Sequence, residues 1–154
     1  MSFAQAIRLL PNLITSSNLK TNQVHCLRLT PNQDFKIELM AFCDRQKIRA
    51  ACILSAVGSL QKANLRLADS KNILTLQKKF EIVSATGTIS QEGCHVHISI
   101  ADSEGHVLGG HLMDQNIIFT TCELVILEIG EVEFKRELDP QTNFKELKIY
   151  LTNS

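Results

Sequence analysis

Apolar and polar positions alternate along most of this chain, and in one stretch they recur with a helical period. From Phe35 to Gln46 the residues Phe35, Leu39, Phe42 and Cys43 fall at i, i+4, i+7 and i+8, one face of a helix. Glu38, Asp44 and Arg45 fall outside that apolar stripe. The Pro31-Asn32-Gln33-Asp34 break before it offers Asn32 or Asp34 as the cap. The other apolar segments read as strands: Val24 to Leu29, the continuous run Ala50 to Val57, Ala63 to Ala68, Ile73 to Leu76 and Phe80 to Ile89. His95 to Ala101 and His106 to Leu112 read as the arms of a hairpin. Ile117 to Ile129, Val132 to Leu138 and Leu147 to Leu151 follow, the last as an edge strand. Gly58 is expected to end the Ala50 run, and Asp139-Pro140 to turn the chain. One helix among many short strands with close turns predicts an α+β fold: a mostly antiparallel sheet with one main helix packed on it.

The hairpin decides the chemistry. His95 and His97, two apart in a strand, point to one face. The loop Ser103-Glu104-Gly105 ends in glycine and fits a type I turn closed by a left-handed glycine. That loop sets Asp102 opposite His106 and, counting back, His97 opposite His111. A two-residue loop would shift the register and send His111 to the other face. With the longer loop, three imidazoles converge, a donor set suited to zinc or another divalent metal with an open position for water. Gly109 and Gly110 leave room for a ligand or a neighbouring backbone. The competing reading is three satisfied polar side chains, or histidines lining a subunit interface. Glu123, in the middle of a strand, is an accessory ligand or general base in one reading and the ion-pair partner of Arg66 in the other, which we favour. His25 and His106 join no cluster. Ser55 and Ser59 flank a glycine turn without a Ser-His-Asp order, Lys78-Lys79 reads as a solvated strand start, and no phosphate loop or G-x-G-x-x-G occurs.

Composition narrows the function classes. The 154 residues are 44% hydrophobic and 21% charged, as in an ordinary globular domain. Lysines plus arginines equal aspartates plus glutamates at 16 each, so no global field draws the chain to nucleic acid or an anionic membrane. The five cysteines include no C-x-x-C pair, which points to free thiols in the cytoplasm or another reducing compartment. No apolar run is long enough to span a membrane, and the first 20 residues make a poor signal peptide. Residues 1–22 read as an N-terminal extension and 23–154 as the domain.

An ordered series of segments carries a family resemblance: Leu27-Arg28-Leu29 with Pro31 and Asp34, Ala51-Cys52-Ile53-Leu54-Ser55-Ala56-Val57-Gly58-Ser59-Leu60, Leu65-Arg66-Leu67-Ala68, Phe80-Glu81-Ile82-Val83-Ser84 and Gly87-Thr88-Ile89-Ser90. It continues with His95-Val96-His97-Ile98-Ser99, Gly109-Gly110-His111-Leu112, Thr121-Cys122-Glu123-Leu124-Val125-Ile126 and Phe134-Lys135-Arg136. Together these resemble the plant and prokaryote conserved (PPC) domain, from about Val24 to Ile149. The resemblance implies an antiparallel fold with a flanking helix, assembled as a homotrimer, and a DNA-associated regulatory or scaffold role. In plants the domain follows an AT-hook, an Arg-Gly-Arg element that enters the minor groove. This chain contains no Arg-Gly-Arg, so weak or indirect association with DNA is expected. The plant partner-binding segment resembles Lys79 to Ser84, with Lys78 where a glycine is usual. The fold is also similar to acetolactate decarboxylase, a zinc enzyme whose metal is held by a His-x-His pair and a later histidine. His95, His97 and His111 match that pattern, while the enzyme's other catalytic residues have no counterpart. The expectations are therefore a self-assembling PPC-type protein with a zinc site at His95, His97 and His111. The alternative is a metal-dependent enzyme of lyase type or a small-ligand sensor using the same histidines.

Overall fold

The structure, a computed structural model, describes residues 22–69 and 71–152; the extension expected at 1–22 lies, but for Asn22, outside them. Among the described residues, nine strands and one helix follow in the order β1 (Gln23–Leu29), α1 (Phe35–Gln46), β2 (Ala51–Arg66), β3 (Ile73–Leu76), β4 (Phe80–Ser90), β5 (Gly93–Ala101), β6 (Val107–Leu112), β7 (Ile117–Glu128), β8 (Val132–Leu138) and β9 (Lys145–Leu151). All pairings are antiparallel. The fold is the expected one: a mostly antiparallel sheet with a single main helix.

Helix α1 occupies the predicted span. Asp34, in extended backbone, accepts hydrogen bonds from the Lys36 and Ile37 N–H groups at 2.9 and 3.2 Å, satisfying two of the helix's unpaired donors. Lys47 ends the helix in the left-handed conformation, φ 57°, its N–H turned back to the Asp44 and Cys43 carbonyls. The predicted stripe Phe35, Leu39, Phe42 and Cys43 is buried and packs with inward-facing residues such as Leu65, Ile98, Leu112 and Leu124.

The main sheet runs β1-β7-β2-β4-β5-β6, with β3 beside β2. The far end of β2 also pairs with β6, Leu65 facing Leu112 and Arg66 facing His111. The strands β2, β4, β5 and β6 thus curl into a ring. Two sequence expectations are corrected here. Gly58 does not end a strand, because β2 runs for 16 residues through both segments read as separate. Glycine is required there by a close approach: a Cβ at Gly58 would lie 2.1 Å from the Thr121 carbonyl oxygen of β7, and φ is 154°. The register slips just beyond it, between Gly58 and Leu60. The last strand is not an edge of this sheet either. It pairs with β8 alone, in a two-stranded ribbon.

The ribbon docks by backbone and by a small second core. Phe134 N–H donates to the Arg49 carbonyl at 3.0 Å, Ile129 N–H donates to that of Ala50 at 2.8 Å, and Val132 and Phe134 bury against Ala50. This brings β8 alongside the β4–β5 turn, where Glu92 accepts from the Arg136 N–H at 3.0 Å. All five cysteines are free. Burial pushes the Cys43 and Cys122 thiols up to about 12. No helix among the described residues is long and apolar enough to cross a membrane.

Candidate metal centre

The β5–β6 hairpin has the geometry its sequence specifies. Asp102 N–H donates to the His106 carbonyl, Gly105 N–H donates to the Asp102 carbonyl, and Gly105 takes φ 82°. The Asp102 carboxylate accepts from the Glu104 and His106 N–H groups at 3.0 Å each and from Lys78 Nζ at 3.0 Å. The Lys78 hydrogen bond and these N–H groups hold its carboxyl down at about 2. Lys78 is therefore paired, not simply solvated as its sequence context suggested. With the turn so fixed, His97 faces His111 across the ladder.

His95, His97 and His111 consequently share the outer face of the sheet. The alternate residues Val96, Ile98 and Leu112 point into the core. One ligating atom from each imidazole lies within 4.8 Å of the other two, the three-donor grouping found among the described residues. His95 Nε2 and His97 Nε2 stand 3.2 Å apart. In a tetrahedral zinc shell with Zn–N near about 2.1 Å, donor nitrogens are about 3.4 Å apart. The first pair has that spacing already, and the third imidazole needs only a small side-chain adjustment.

The environment favours the neutral form of two of these rings, His95 and His111. Burial first, then the Arg66 guanidinium, pushes His111 down to about 4. Burial, His97 and Arg136 also lower His95. Neutral imidazole is the form that binds metal. Nδ1 of His111 is shielded from solvent and has no hydrogen-bond partner among the described residues. A buried lone pair or N–H without a partner is costly in an ordinary structural histidine. The donor set and this orphaned atom fit a divalent cation.

The other sequence candidates lie elsewhere. Glu123 faces Arg28 on β1 and Val57 on β2, far along the sheet from the hairpin, and does not join the three imidazoles. The expected Arg66–Glu123 pair is not formed, because β2 continues past Gly58 and carries Arg66 to β6, opposite His111. His106 is exposed beside Asp102 and Glu104, and His25 meets Glu128 at 2.8 Å. Ser59 shares a 2.6 Å hydrogen bond with Thr120. Sequence reasoning missed Arg136. Its Nη2 donates to Thr88 Oγ1 at 2.9 Å, and Thr88 is the ladder partner of His95. No spacing in the sequence signals that contact, since it depends on where the ribbon docks.

The fold and site together define a small domain whose curled antiparallel sheet backs a helix on one face and presents three converging imidazoles on the other. The chain belongs to the Plants and Prokaryotes Conserved (PCC) domain family, whose profile matches residues 16–130. It is 42% identical over 127 residues to the bifunctional protein GlmU of Synechococcus sp. (strain JA-3-3Ab), a match covering 82% of this chain and 20% of that protein. It is 26% identical over 111 residues to the AT-hook motif nuclear-localized protein 8 of Arabidopsis thaliana, covering 66% of this chain and 28% of that one. The chain thus corresponds to between a fifth and a third of these relatives' length. Among solved structures, a hypothetical protein from Salmonella cholerae-suis superposes with a TM-score of 0.84 at 36% identity, covering 87% of this chain and 97% of that one. A metal-containing protein from Archaeoglobus fulgidus superposes at 0.73 with 25% identity, covering 87% and 99%.

Proposed function

We propose that this chain is a homotrimeric regulatory or scaffold domain that holds one divalent metal ion, zinc, on His95, His97 and His111, and that it associates with DNA only through partners. The observation that carries the metal reading is the convergence of three imidazoles on one sheet face, one of them with a buried, unpartnered nitrogen. The solved relative from Archaeoglobus fulgidus is described as metal-containing, which agrees with it. A divalent ion held by three imidazoles keeps a position open for a small ligand and can polarise a bound carbonyl or water.

The regulatory reading rests on portability. One domain type recurs as a minor part of a bifunctional enzyme and of AT-hook nuclear proteins, so its contribution is one that both settings use. Assembly and ligand sensing meet that requirement. Self-association is favoured by Leu54, Val57 and Val83, which leave apolar side chains more than half exposed on the neighbouring strands β2 and β4. Direct DNA binding is disfavoured by the zero net charge and the missing Arg-Gly-Arg. The enzyme reading is kept as the second, because two open clefts, of about 420 and 540 Å³, flank the histidines.

Metal analysis of tag-free protein dialysed against zinc tests the site. One zinc per chain is expected in the wild type and none in His97→Ala with the fold intact by circular dichroism. A wild type that takes up no zinc removes the metal site and the enzyme reading with it.

A further inference from the structure

We infer that the cleft between the three histidines and the β8–β9 ribbon is the binding site of a small carboxylate-bearing molecule, whose carboxylate is held by Arg66 and Arg136. The inference rests on the metal reading of His95, His97 and His111 and deepens it by naming the class of ligand that would bind beside the ion those residues would hold.

The cleft has a volume of about 420 Å³, room for a molecule of a few carbons. His95 and His111 form its floor. Two guanidinium groups stand beside them. Arg66 comes from the end of β2 as the ladder partner of His111, and among the described residues its side chain makes no hydrogen bond or ion pair. Arg136 comes from β8 and is fixed in place. Its backbone N–H is tied to Glu92 and one guanidinium nitrogen to Thr88, which leaves the remaining donors of the fork for a ligand.

The charges call for an anion. Three neutral imidazoles bring no charge to offset a divalent ion. The cleft adds Arg66, Arg136 and Lys145 against only Glu92 and Glu146. With the ion in place the cleft carries an excess of positive charge, which an oxyanion neutralises. A carboxylate fits better than a phosphate. Its two oxygens match the planar guanidinium fork, and its single charge is repelled less than a dianion by the two glutamates. Phe144, on the rim and largely exposed, offers an apolar surface to the ligand's carbon skeleton.

Arg136, Phe144, Lys145 and Glu146 all lie beyond the family match at residues 16–130. The histidine floor therefore lies within the family match, and the guanidinium and aromatic wall on the ribbon lies outside it.

The test uses the full chain loaded with cobalt(II), whose visible absorption reports the coordination shell. The probes are sodium acetate, pyruvate, glycolate and succinate, with inorganic phosphate for comparison. At least one carboxylate is expected to perturb the cobalt bands saturably and at lower concentration than phosphate. Arg66→Gln and Arg136→Gln are expected to retain cobalt yet weaken that carboxylate by about tenfold or more each, the factor that losing a charge-assisted hydrogen bond of about 1.4 kcal/mol produces. Arg66 is exposed, so its variant is expected to fold even if loss of the Arg136–Thr88 contact loosens the ribbon. The proposal is overturned if none of the four carboxylates perturbs the bands, if phosphate binds more tightly than all of them, or if the carboxylate affinity is unchanged in Arg66→Gln. Failure of the metal reading is seen separately, as wild-type protein that binds no cobalt at all, and it overturns both.

Discussion

Gly87 sits where β4 passes close to the backbone of β5. A Cβ there would lie 2.1 Å from the His95 carbonyl oxygen. No side-chain adjustment relieves that overlap, because the atom it meets is backbone. Gly87→Ala is therefore expected to push β5 away at the residue that carries the first imidazole. The cost to stability is expected to be about 2 kcal/mol, as for other overpacked sites, and zinc affinity should fall although no ligand is altered. Thermal melts and zinc titration read the two effects, and unchanged zinc affinity in a folded variant would contradict the placement of His95. His111 gives a pH signature at the same scale. Its folded value lies near 4, below the ordinary 6.5. The unfolded chain therefore binds a proton that the folded chain refuses. The metal-free fold is expected to keep this contribution above about pH 6.5 and lose it as the pH falls toward 4. NMR titration of the His111 ring, with melts over the same range, checks the value and the sign. The histidines were legible in the sequence because a strand's period of two and one turn type fix their faces. Arg66 was misassigned and Arg136 missed, because their neighbours are set by strand docking over long sequence separations.

At the scale of elements, α1 is held by its cap and by one apolar stripe. Asp34→Ala removes the acceptor for two helix N–H groups and for the Gln115 N–H, and a loss of about 1 kcal/mol is expected from the cap. Phe35→Ala empties a wholly buried position at the start of the helix and should cost about 3–5 kcal/mol. Denaturant unfolding measures both, and equal losses would contradict the packing described here. The helix was predicted to the residue because its period, cap and breaker agree. The strands were less legible. A glycine inside a strand pattern reads as a stop, and at Gly58 it marks instead a point where β7 comes too close for any side chain. The ribbon β8–β9 alternates like any strand pair, and nothing in that alternation tells an edge of the main sheet from a separate layer. Its place follows from the Arg49, Ala50 and Glu92 contacts, which are tertiary.

At the scale of the whole molecule, the proposed trimer has its own test. Light scattering is expected to give three times the 17.2 kDa chain mass for the wild type. The exposed pair Val57 and Val83 offers a way to break it: Val57→Glu with Val83→Lys should give monomers that still bind zinc if the ions are held within one chain. A wild-type monomer at micromolar concentration would contradict the assembly. No shift of a duplex at physiological salt is expected from the isolated protein, since phosphate neutralisation dominates such binding and this chain has no excess of cations. The metal centre is the claim on which the function and the ligand inference both stand. Anomalous scattering from a crystal of zinc-soaked protein, collected on either side of the zinc edge, tests it most directly. The account predicts one anomalous peak per chain, within about 2.1 Å of a nitrogen from each of His95, His97 and His111. An ordered triad with no peak, or a peak on other residues, would contradict it.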